Sequence, residues 1–93
     1  MASIPRTEKA KLAAAEKAKL EAMHADATDR EEAERMMAVS DETQEQIVAL
    51  IAGPSFDKKL PRADRAESRR RAAGVSRHLV ALREKRDNPP SAH

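Results

Sequence analysis

Four arginines, Arg62, Arg69, Arg70 and Arg77, have the most chemically suggestive spacing in the chain. At 3.6 residues per turn they fall within about 100° of one another on a single helix. A guanidinium is a rigid fork of donors that fits two phosphate oxygens, so four on one face form a phosphate-binding strip. Other chemistry has little to work with. The histidines, His24, His78 and His93, are too far apart for ligand-like spacing. His24 and Asp26 are two apart and do not share a helix face. There is no cysteine, which excludes thiolate metal sites, thiol nucleophiles and disulfides. Nothing local points to an activated serine, and the carboxylates lie in helix-surface patterns with no glycine-rich loop to gather them. We expect a non-enzymatic protein with no cofactor and no metal.

Composition limits what can position such a strip. Ninety-three residues allow one small domain. Leu, Ile, Val and Phe together number 14, whereas Ala numbers 19. Alanine is the best helix former but buries little surface, so such a chain forms helices easily and packs them weakly. Self-association or a protein partner is expected to add stability. No apolar run approaches the roughly 20 residues that cross a bilayer, so no membrane partner is expected. The N-terminal "MASIPRTEKAK" lacks the apolar centre of a signal peptide and reads as mature and cytoplasmic. The Ala- and Arg-rich composition suggests a bacterial or phage source.

Charge is unevenly distributed. Met1 to Gly53 holds seven basic and eleven acidic residues, a balance of −4, and Pro54 to His93 holds eleven and five, a balance of +6. The contrast sharpens in two segments. Asp26 to Glu45 has eight acids and two arginines (−6), and Arg62 to Arg86 balances it at +6. These segments either pair with each other, within one chain or between two, or leave the basic one free for an anionic partner.

No strand pattern occurs, and the fold expected is all-α: a small helical protein with a long N-terminal helix, a buried middle helix and a basic C-terminal helix. Pro5 suits a helix's first turn. The duplication EKAKLAAA, EKAKLEAM repeats every eight residues, which is not a coiled-coil period, so Leu12 and Leu20 drift round the helix and the segment reads as largely solvated. Thr28 and Glu31 have capping-box spacing, predicting a kink or restart there. Asp41 with Gln44 predicts a second start, and Gly53-Pro54 its end. Ile47, Leu50 and Ile51 should form the buried face of that helix. Phe56, the only aromatic residue, should plug a helix corner. Pro61 opens a helix from about Arg62 to Arg86, along which Ala72, Val75, Leu79 and Leu82 form an apolar stripe for the core or a partner. The organisation expected is a mostly solvated helical arm over 1–39, a helical core over 40–86 and a flexible tail over 87–93.

Within the last helix, "AAGVSR" (72–77) resembles the turn of helix-turn-helix DNA-binding regulators. The resemblance makes Ala73-Gly74-Val75-Ser76 the turn and Ser76 to about Arg86 the recognition helix. It puts Val75 and Val80 at buried positions and Arg77 and His78 at groove contacts. The chain departs from the pattern at Arg69, Arg70 and Arg83, where small or apolar residues are usual. The alternative is one continuous helix, similar to arginine-rich RNA-binding helices but lacking aromatic residues for base stacking. Both point to a nucleic-acid-binding regulatory or accessory protein, with DNA favoured over RNA. The competing function is a helical protein–protein interaction module, an adaptor or inhibitor of a larger assembly.

Overall fold

The stretch from Arg6 to Met36 is dense in Ala, Glu and Lys, which lose little freedom in a helix, and it forms one unbroken helix. In the computed structural model, which describes residues 6–89, α1 spans Arg6–Met36, α2 spans Asp41–Ala52 and α3 spans Arg62–Asp87. A short 3-10 turn, Gly53–Phe56, follows α2 directly. Among the described residues there is no strand, and the fold is all-α. Pro5 and residues 90–93 of the expected tail lie outside the described residues.

The kink expected at Thr28 does not occur. Its hydroxyl donates to the His24 carbonyl one turn back (2.9 Å) instead of capping a new helix. Mid-helix, the Thr28 amide already belongs to the ladder, so its hydroxyl turns to a carbonyl. The second start is displaced by one residue: Ser40 is the N-cap of α2 and its side chain accepts from the Thr43 amide. Asp41 then lies in the first turn beside the positive helix end. This frees Gln44 for another task. It is fully buried, and its Nε2 donates to the carbonyls of Met36 (3.0 Å) and Val39 (3.1 Å) where α1 ends. Its Oε1 accepts from Arg83 Nε of α3 (2.8 Å).

The end of α2 follows the same rule. Gly53 stays right-handed (φ −48°, ψ −49°), so it is not the left-handed cap that its position suggests, and the chain tightens into the 3-10 turn. The last carbonyls of a helix lack intrahelical partners. Here Ile51 O accepts from Ser68 of α3 and Ala52 O from Ser55.

The core is small. Ala33 and Met36 of α1 meet Val75 and Leu79 of α3, and Met37, Ile47, Val48, Ile51 and Leu82 pack around them. It therefore draws on residues either side of position 39. Ala72 is also buried, so the 72-75-79-82 stripe faces inward. The expected face of α2 shifts: Leu50 is 76% exposed, and Gln44, Ile47, Val48 and Ile51 turn inward instead. Phe56 is 82% exposed and plugs no corner, because the 3-10 turn buries Ser55 in its place.

Gly74 lies inside the continuous α3, so the helix-turn-helix reading of "AAGVSR" does not hold. Its missing side chain serves helix packing. A Cβ at Gly74 would lie 2.1 Å from Asp29 Oδ2 of α1, and that carboxylate is buried. Only glycine lets the helices approach so closely there.

Chemical denaturation should rank the core. Leu79→Ala is expected to cost about 2–4 kcal/mol, as deletion of a fully buried leucine does. Gln44→Met should cost about as much despite its similar shape, since it leaves the Val39 carbonyl and the Arg83 Nε–H without their partner and the Met36 carbonyl with only the Val39 amide. A Gln44→Met protein as stable as the parent would show that water replaces all three bonds.

Candidate functional site

On α3 the arginines divide by the helix they face. Arg70, Arg71 and Arg77 lie along α1. Arg70 Nη1 donates to the buried Asp29 (2.9 Å) while its other nitrogens fork onto Glu67 (3.0 and 3.1 Å). Arg71 reaches both oxygens of Glu32 (2.6 and 2.8 Å). Arg77 and His78 converge on one oxygen of Asp26, at 2.7 and 3.0 Å. Arg83 and Arg86 lie towards α2, where Arg83 meets Glu45 at 3.0 Å and Arg86 forks onto Asp41 at 2.9 and 3.1 Å. The −6 and +6 segments are thus paired within one chain.

This pairing divides the four-arginine strip. Arg70 and Arg77 are held by α1 carboxylates. Arg62 and Arg69 are exposed, and no carboxylate among the described residues lies within 4 Å of either. They line a surface recess of about 270 Å³ with Arg65 and Ala66. Arg65 is not part of the expected strip, yet its spacing from Arg62 and Arg69 (three and four residues) puts it on their face. Of the expected stripe, Ala72, Val75 and Leu79 are buried and Leu82 is half-buried.

Electrostatics follow the pairs. The hydrogen bond from His78, then the neighbouring Arg77, holds the Asp26 carboxyl below its ordinary value. Arg86 lowers Asp41 and Asp87 in the same way, and Arg70 lowers Glu67. In return Glu67 and Asp29 raise Arg70, and Asp41 and Asp87 raise Arg86. Both guanidiniums are thereby fixed in the charged form.

Among the described residues, no group of three or more His, Cys, Asp or Glu could hold a metal ion. None of the described helices is long and apolar enough to cross a membrane. His24 is exposed on α1, and His93 lies outside the described residues. The chain matches no protein-family model, no curated protein and no solved structure.

Stability should fall on acidification, with a sign set by these carboxylates. Asp26, Asp41 and Asp87 bind protons more weakly in the folded chain than at the ordinary value of 3.8, and Glu67 more weakly than at 4.5. Their contribution is complete above those ordinary values and disappears as pH falls through the lowered ones. Denaturation titrations between neutral and strongly acidic pH should show this loss. Asp26→Asn and Asp41→Asn should each flatten the acid limb, and an unchanged limb in both would remove these pairs from the acid response.

Proposed function

We propose that the chain is a non-enzymatic helical protein–protein interaction module whose immediate partner is a second copy of itself. The observation that carries this reading is the thinness of the molecule. Its extents are 60 × 50 × 14 Å, so it is several times longer and wider than it is deep. Its radius of gyration is 18.6 Å, against about 12 Å for a compact chain of this length. Domains normally close their apolar surface between two layers, and this chain leaves much of its own uncovered.

The large apolar side chains are distributed accordingly. Leu12, Leu20, Met23, Val39, Leu50, Phe56 and Val80 are exposed, whereas Met36, Val75 and Leu79 are the only large apolar side chains fully inside among the described residues. From Ala10 to His24 every residue of α1 is exposed. On that arm Leu12, Leu20 and Met23 lie within about 80° of one another, roughly 120° round the helix from Asp29, Ala33 and Met36. Lys11, Glu16, Lys17, Lys19 and Glu21 accompany them, a mixture of both signs that can complement itself across a two-fold axis. In this reading the paired module serves as an adaptor or inhibitor of a larger assembly.

A nucleic-acid-binding role is the second reading, favoured by Arg62, Arg65 and Arg69, which have no carboxylate within 4 Å among the described residues. The three arginines without a carboxylate predict a log–log salt slope of roughly −3 on duplex DNA. Fluorescence anisotropy in a salt series reads this slope, and no binding even at low salt would dismiss the role.

Self-association has its own test. The melting temperature followed by circular dichroism should rise with protein concentration, as linkage to association requires. Leu12→Asp combined with Leu20→Asp should abolish the rise while the helices still form at low temperature. A sharp melt of the parent chain, unchanged over a wide concentration range, would overturn the second-copy reading.

A further inference from the structure

We propose that Arg62, Arg65 and Arg69 form a binding recess for a phosphate oxyanion at the start of α3. The proposal is independent of docking through the α1 arm. Spacing is its first support. Residues 62, 65 and 69 lie within about 60° of one another on an ideal helix, and the three side chains line one recess of about 270 Å³. At about 30 Å³ per water in the liquid, that volume holds a phosphate group together with several waters.

The second support is charge left without a partner. This chain ties Arg70, Arg71, Arg77, Arg83 and Arg86 to carboxylates. Among the described residues none comes within 4 Å of the recess trio. The acids nearest in sequence point elsewhere. Asp64 and Glu67 are each about 100° or more round the helix from all three arginines, and Glu67 is already held by Arg70. Three like charges therefore stand together in the first two turns, beside the positive end of the helix, where cations are unfavourable. An anion bound there relieves both repulsions.

Arg65 supplies the third support. Its Nε is buried and has no hydrogen-bond partner among the described residues, although buried polar groups are normally satisfied. The Arg65 side chain also lines the recess, and a guanidinium there suits a tetrahedral oxyanion, whose oxygens accept from several forks at once. Phosphate fits three positive charges better than a carboxylate does, because it has more acceptor oxygens and carries up to two negative charges near neutral pH.

The full chain, labelled with 15N, can be titrated with inorganic phosphate at constant ionic strength while the arginine Nε–H signals are followed. The Arg65 signal should move and saturate with phosphate, and chloride should leave it in place. Arg62→Ala and Arg69→Ala should each weaken the affinity tenfold or more, as loss of a charge-assisted contact does, and Lys85→Ala should not. A nucleotide and a short DNA duplex compared with inorganic phosphate identify the source. Tighter binding of the duplex points to backbone phosphates, and tighter binding of the nucleotide to a small phosphate ester. An Arg65 signal that stays still, or moves equally with chloride, overturns the recess, and this readout requires no variant to fold. Equal movement in the Arg62→Ala, Arg69→Ala double variant overturns it as well.

Discussion

The arrangement depends on one buried amide. Gln44 closes the end of α1 with both of its N–H donors and holds Arg83 of α3 with its oxygen, so one side chain in the first turns of α2 sets the relation of all three helices. A buried primary amide tolerates little displacement, because each bond it loses leaves an unsatisfied group. Ser68 repeats the device at the end of α2, where it donates to the Ile51 carbonyl from α3. Helix ends here are completed by the neighbouring helix, so the ends form fully only when the helices meet.

Those polar clamps matter because apolar burial is limited. With Ala33, Met36, Val75 and Leu79 at its centre, the core is too small to specify a geometry alone. Cross-helix arginine–carboxylate pairs fix the alignment of α3 against α1 and α2. Most are partly exposed, where such pairs contribute little to stability. Asp29 is the exception. It is buried against Gly74 and bonded to Arg70, so the place where α3 carries no side chain holds a charged contact.

The same economy of apolar groups leaves leucines, a methionine and a phenylalanine outside. That surface and the unpaired arginine recess are separate features of the chain. In the two proposals one takes a second copy of the chain and the other an anion.

Local pattern made the helices legible. Pro61 and the 3-4-3 spacing of Ala72, Val75, Leu79 and Leu82 marked α3 and its inward face, and the −6 and +6 segments announced that acids and arginines could meet. Those properties depend on residues a turn or two apart, which a sequence displays directly. Tertiary structure alone decided which charge meets which. Arg70 and Arg77 share a face with Arg62 and Arg69, yet only the first two lie under α1. It also decided that Gly74 is a contact point rather than a turn, that Thr28 bonds back along its own helix, that Val48 replaces Leu50 inside, and that Phe56 stays out. Each outcome rests on how closely two helices approach, a distance set by the summed packing and hydrogen bonding of residues far apart in the chain.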